Sequence, residues 1–155
     1  MTPCTKILKK AKVNFIIHEY KHDPQCESYG DEAAAKLGVI KQRVFKTLVV
    51  KSENSLFVAI VPVSSKLSLK ELAKVLGVKK IAMADTKIVE KSTGYVLGGV
   101  SPFGQKKRLV TVIDKSVLNY DTIFVSAGKR GLEVEINPLI FSKFLSCKFE
   151  EISII

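Results

Sequence analysis

The stretch Lys91-Ser-Thr-Gly-Tyr-Val-Leu-Gly-Gly-Val-Ser-Pro-Phe-Gly-Gln-Lys-Lys-Arg108 breaks the regular patterns on either side of it. Gly98-Gly99 opens backbone angles closed to other residues and lets another molecule approach the main chain. Pro102 fixes its own φ and pushes Ser101 towards extended conformations. A segment loose at its start and stiff at its end can aim several N–H groups at one point. Such a concavity suits a carboxylate, an ester carbonyl or a phosphate. On composition alone, the same residues also fit a tight turn between strands.

The rest of the chain reads as strands mixed with short helices. Thr2-Pro3 is a cap followed by proline, so Thr2 to Lys12 is expected to be helical. Val13 to Tyr20 alternates as a strand. Asp31 is expected to cap a helix from Glu32 to Leu37 that Gly38 stops. Val44 to Lys51 and Leu56 to Val63 flank the Glu53-Asn54-Ser55 turn and read as a hairpin. Ser68-Leu-Lys-Glu71 has the form of a capping box, and its helix ends at Gly77. Lys80 to Ala84 is a predicted strand, and Asp85 caps a helix to about Lys91. Beyond the central stretch, Leu109 to Ile113, Thr122 to Ser126 and Leu132 to Ile136 are strand-like. Asn137-Pro138 starts a helix to about Leu145, and Phe149 to Ile154 is a terminal strand. Strands follow one another too often for a doubly wound sheet. The expected class is α/β: a mixed, largely antiparallel, partly closed, barrel-like sheet with short helices outside. Residues 1–155 read as a single domain, with no repeat and no linker.

The composition is that of a soluble globular chain, with 46% hydrophobic and 26% charged residues. The longest apolar runs are too short to span a bilayer, and Met-Thr-Pro-Cys-Thr-Lys does not look like a signal peptide. A cytoplasmic location without membrane attachment is expected. Net charge is +10. Such a field attracts polyanions, which makes RNA the natural partner, although a merely soluble basic protein also fits. Cys4, Cys26 and Cys147 are widely spaced and form no metal or disulfide pattern. No cofactor and no metal is expected.

Lys46 is the most informative side chain. Strand alternation places it with Val44, Leu48 and Val50 on an apolar face. A lysine there lines a cleft and meets an anion, or sits at an edge and reaches solvent. Tyr20 and Tyr29 fit either packing or a pocket wall. Ser126-Ala-Gly-Lys-Arg-Gly131 is a second small-residue loop, a turn whose Lys129-Arg130 pair could hold phosphates. His18 and His22 lack a partner pattern for general-base or metal chemistry. There is no G-x-S-x-G, Walker A or dinucleotide fingerprint.

Together these residues resemble the YbaK family of aminoacyl-tRNA deacylases, relatives of the editing domain of bacterial prolyl-tRNA synthetase. The resemblance runs through His22-Asp23-Pro24, Gly30-Asp31-Glu32, Phe45-Lys46-Thr47-Leu48 and Met83-Ala84-Asp85. It is densest in Lys91-Ser-Thr-Gly-Tyr95, Gly98-Gly-Val-Ser-Pro102 and Gly104-Gln-Lys-Lys-Arg108, and closes with Gly128-Lys-Arg-Gly131. It implies hydrolysis of the ester joining a mischarged amino acid to tRNA. Lys46 falls on the family's required lysine, and Gly98, Gly99, Val100, Ser101 and Pro102 on its G-x-x-x-P loop. Tyr20, Tyr29, Thr47, Ser126 and Gly128 fall among pocket positions. Tyr29, Phe103 and Ala127 differ from the relatives' usual residues, and the position of Glu133 varies and is sometimes Asp. The resemblance further implies Cys-tRNA(Pro) as substrate, whose own thiol attacks its carbonyl, and prolyl-tRNA synthetase as a partner. A deacylase for Ala-tRNA(Pro) and a non-catalytic tRNA-binding module are the alternatives. Lys106, Lys107, Arg108, Lys129 and Arg130 are the candidate tRNA contacts.

Overall fold

The apolar runs pair as strands, but in three separate sheets. The structure, a computed structural model, describes residues 1–155. In chain order its elements are α1 (Pro3–Lys10), β1 (Phe15–Glu19), α2 (Tyr29–Leu37), β2 (Phe45–Ser52), β3 (Ser55–Pro62), β4 (Lys66–Leu67), α3 (Leu69–Leu76), β5 (Ala82–Met83), α4 (Thr86–Thr93), β6 (Thr111–Asp114), β7 (Ile123–Lys129), β8 (Leu132–Ile136), α5 (Phe141–Phe144), β9 (Cys147–Glu150) and β10 (Ser153–Ile154). Short 3-10 turns lie at Lys41–Arg43, Lys115–Asn119 and Pro138–Ile140. No helix is long and apolar enough to cross a membrane.

Strands β5-β2-β3-β6-β9 form one sheet, β1-β8-β7 a second and β10-β4 a third. The predicted hairpin of β2 and β3 pairs from Phe45↔Pro62 to Ser52↔Ser55. Strand β6 runs parallel to both β3 and β9. The remaining pairs are antiparallel, so the sheet system is mixed and largely antiparallel.

Barrel-like closure is not found. The larger sheets meet at one parallel bridge, Val44↔Phe124. Beyond it, side chains and not backbone ladders fill the join: Val44 and Phe124 cluster with Ala33 and Ala34 of α2. The edge of β2 away from β3 pairs with β5 only at Val50 and Lys51, with one further bond from the Ala84 N–H to the Val49 carbonyl. The start of β2 is therefore left open where a closed barrel would continue the ladder, and a cavity forms there.

The central stretch belongs to the core and is no plain turn between strands. Its first part is the end of α4, which Gly94 stops in a left-handed conformation at φ 82°. The Tyr95 hydroxyl then donates to the Phe103 carbonyl at 2.6 Å, and the Gln105 amide donates to the Ser101 carbonyl at 2.9 Å. Phe103 is fully buried and stacks on Phe141, with ring centroids 5.4 Å apart. These contacts anchor a loop that has almost no regular hydrogen bonding of its own.

Several boundaries move for local reasons. Ser28, not Asp31, caps α2: its hydroxyl accepts the Asp31 N–H at 3.3 Å, and the helix begins three residues early. Ser68 accepts the Glu71 N–H at 3.1 Å, but its own N–H goes to the Ile152 carbonyl, so only half of the capping box forms. The predicted strand from Lys80 shrinks to Ala82–Met83. The helix expected after Asn137 becomes a 3-10 turn and one turn of α5. The terminal strand splits into β9 and β10 at Ile152, whose N–H bonds the Asp114 carboxylate at 3.0 Å.

Candidate active site

A cavity of about 370 Å³ opens between the first half of β2, the start of α2, the Leu97–Val100 loop and one face of the three-stranded sheet. Tyr20, Tyr29, Lys46, Thr47, Gly98, Val100 and Ser126 line it. Gly99, Ser101, Pro102 and Gly128 do not; they support it from behind. A Cβ at Gly99 would lie 2.8 Å from the Lys129 Cα, so this glycine lets the loop press on the β7–β8 turn. Ser101 is buried, and its hydroxyl accepts the Phe103 N–H at 3.2 Å. Gly128 packs against Thr2 and Tyr95.

Lys46 has no ion pair and no hydrogen-bond partner, although it is half-buried in the cavity wall. Burial lowers its pKa, the Asp31 charge opposes that shift, and Lys66 adds to it. Both faces of β2 are covered. Phe45 and Val49 enter the main core, while Val50 and Leu48 enter a second cluster. The lysine is thus held on a central strand and faces space. Next to it, the Thr47 hydroxyl is buried without a partner.

The glycine loop is shaped by Tyr29. Gly98 has φ 84°, and a Cβ there would stand 2.7 Å from the Tyr29 ring. The Arg130 guanidinium lies 4.7 Å from the centre of that ring, and its Nε donates to the Leu97 carbonyl at 2.9 Å. The Gly99 N–H closes a turn onto the Val96 carbonyl. The Gly98 and Val100 N–H groups have no protein acceptor, and both residues line the cavity.

No cysteine or histidine lines the cavity. Cys4 is fully buried, and burial pushes its thiol up to about 11. Burial also raises the thiols of Cys26 and Cys147, and none of the three cysteines lines the cavity. His18 bonds Glu135 at 2.9 Å and His22 bonds Glu32 at 2.7 Å, both outside the cavity. His22, Cys26 and Glu32 place donor atoms within 4.8 Å of one another. The Glu32 oxygens there already accept from the Asp23 N–H, His22 and Lys36.

Sequence reasoning gave no role to Glu133, which is 6% exposed and lines the cavity. Burial pushes its carboxyl up to about 8. The alternation of Leu-Glu-Val-Glu-Ile136 puts it with Glu135 on the polar face of β8, so the sequence carries no signal that it is buried.

The model of the aminoacyl-tRNA editing domain matches residues 23–144. The chain is 37% identical to the "Putative Cys-tRNA(Pro)/Cys-tRNA(Cys) deacylase EbsC" of Enterococcus faecalis, over 98% of this chain and 93% of that one. It is 26% identical to the proline–tRNA ligase of Thermoanaerobacter sp., over 68% of this chain and 19% of the ligase. A crystal structure described as "a putative trans-editing enzyme for prolyl tRNA synthetase" shares the fold at 18% identity, with a TM-score of 0.85 over 100% of this chain and 99% of that one. The chain belongs to the YbaK-type aminoacyl-tRNA editing family, and is by that membership an aminoacyl-tRNA deacylase. Its activity is a hydrolysis that protects translation fidelity.

Proposed function

We propose that residues 1–155 act as one unit that hydrolyses Cys-tRNA(Pro) in trans, working beside prolyl-tRNA synthetase. One observation carries this reading. An unpaired lysine and two free N–H groups meet in one small cavity that no cysteine or histidine lines. An aminoacyl ester is already reactive, so positioning and charge stabilisation suffice. The Gly98 and Val100 N–H groups hold the ester carbonyl and stabilise its developing negative charge. Lys46 holds the tRNA terminus or that carbonyl through its charge.

The nucleophile is the substrate's own thiol. Its sulfur bonds to the carbonyl carbon, the bond to the ribose oxygen breaks, and the thiol proton ends on that oxygen. The cyclic thioester that leaves is then opened by water. The enzyme supplies proximity, which alone is worth several orders of magnitude. A cavity near the lower end of the ligand-site range favours a small amino acid. Support for cysteine and for the synthetase comes from the Enterococcus deacylase, the proline–tRNA ligase and the trans-editing enzyme to which the chain is similar. Lys106, Lys107, Arg108, Lys129 and Arg130 would contact the tRNA backbone.

Hydrolysis of Cys-, Ala- and Pro-tRNA(Pro) side by side tests the reading. Rapid loss of the cysteinyl ester alone supports it. Preference for the alanyl ester keeps the reaction and removes the thiol step. Tight tRNA binding without hydrolysis replaces both with a binding module.

A further inference from the structure

Glu133 has a buried carboxyl, no hydrogen bond, no ion pair and a place in the cavity wall. It sits on β8 opposite Ser126 of β7 and His18 of β1. The groups around it do not balance its charge. Tyr20 at the end of β1 is a phenol pushed up to about 12, first by burial and then by Glu133 itself. Cys4 on α1 is a thiol held protonated. Ser126 is neutral, and its hydroxyl accepts the Gly128 N–H. His18 turns to Glu135. Lys46 on β2 has Asp31 and Lys66 as its charged neighbours. Ionising this carboxyl without a partner is costly, so the charged form calls for a cation brought into the cavity from outside the chain.

We propose that the Glu133 carboxyl receives the α-ammonium of the aminoacyl group, making it a substrate-positioning residue that demands a free amino group. The proposal rests on the reading that an aminoacyl ester fills this cavity, whichever amino acid it carries. The α-ammonium is the one cation common to all such esters. With it on Glu133, the ester carbonyl is left for the Gly98 and Val100 N–H groups. In the empty site the Glu133 carboxyl is neutral at pH 7, because burial keeps it protonated. Binding ionises it and releases a proton. An N-acylated ester brings no cation, so peptidyl-tRNA and N-acetylated aminoacyl-tRNA are rejected.

The test uses adenosine carrying cysteine through a 3′-amide, which the enzyme cannot cleave by ester hydrolysis, and the same compound lacking the α-amino group. Calorimetry of the wild-type chain at pH 6.5, in buffers of different ionisation enthalpy, counts protons. About one proton is released per cysteinyl ligand, because Glu133 passes from protonated to ionised. The deamino compound releases none and binds about 30-fold more weakly, the scale of losing one partner of a buried charge pair. Glu133→Gln loses the preference between the two compounds. Equal affinity of the wild type for both, or binding without proton release, overturns the proposal. Deacylation assays separate it from the reading it rests on. Wild-type hydrolysis of N-acetyl-Cys-tRNA(Pro) as fast as Cys-tRNA(Pro) removes the role of Glu133 and keeps the deacylase. Proton-linked binding without hydrolysis of any ester keeps Glu133 and removes the deacylase.

Discussion

At the residue scale, the site is a set of polar groups placed where water is scarce. Lys46 stands without a counter-ion in an apolar wall, which makes it a strong field for an anionic or carbonyl ligand. Lys46→Ala should lower kcat/KM by about 100-fold while the unfolding midpoint hardly moves; full activity in that variant would remove the lysine from the mechanism. Cys4→Ala, Cys26→Ala and Cys147→Ala combined should leave deacylation within about twofold, read against a circular-dichroism check of folding. Loss of turnover in a folded triple variant would bring a protein thiol back. Two carboxyls give opposite pH signatures. Glu133 has its folded pKa raised from 4.5 to about 8, so the native state holds an extra proton between these values. Its contribution therefore falls as pH rises from about 4.5 to 8. Glu32 is opposed by burial, but the Asp23 N–H, His22 and Lys36 outweigh it and push it down to about 2. Its contribution is present above about 4.5 and is lost as pH falls towards 2. In urea titrations, Glu133→Gln should flatten the decline towards pH 8 and stabilise the protein there. Glu32→Gln should destabilise it at pH 7 and flatten the acid limb.

At the element scale, glycines and caps decide where the Leu97–Val100 loop lies. Gly98 is left-handed and faces the Tyr29 ring at a separation that no side chain can share. Gly98→Ala should lower activity by at least about tenfold, with a small loss of stability, since the loop must shift off Tyr29. Unchanged kcat/KM would show that the loop N–H groups do not need this position. Thr2 ties α1 to the same region. Its hydroxyl accepts the Thr5 N–H at 3.2 Å and donates to the Ala127 carbonyl. Thr2→Ala should cost about 1–2 kcal/mol in chemical denaturation, the size of a lost cap.

At the scale of the whole molecule, a charge of +10 sets a field that attracts polyanions. Raising salt from about 50 to 200 mM should weaken tRNA binding by about tenfold or more, through counterion release. Replacing Lys106, Lys107 and Arg108 by alanine should reduce the slope of log affinity against log salt by about two and leave Glu133-dependent ligand preference intact. An unchanged slope in filter binding would move the tRNA surface elsewhere.

Local order was legible along the chain because it rests on neighbours in sequence. The Thr2-Pro3 start, the Gly77 and Gly94 stops and the β2–β3 hairpin all follow from residues within a few positions. The family, and with it the reaction, was legible through the ordered match from His22 to Gly131. The barrel closure was misjudged because closure depends on how far two sheets diverge, and here only Val44 and Phe124 bridge them. Asp31 has the residue type of a cap, but Ser28 caps the helix by accepting the Asp31 N–H. Glu133 could not be singled out from its strand. An acid at that spacing is ordinary on an exposed face. It gains meaning only when the fold buries it in the wall of the cavity that Lys46 and Gly98 also line. The sequence by itself determined most helix stops, the hairpin and the kind of chemistry, since local pattern and residue type carry these. The tertiary structure alone decided where the sheets part, which N–H groups stay free and which carboxyl lacks a cation, because each depends on distances between residues far apart in the chain.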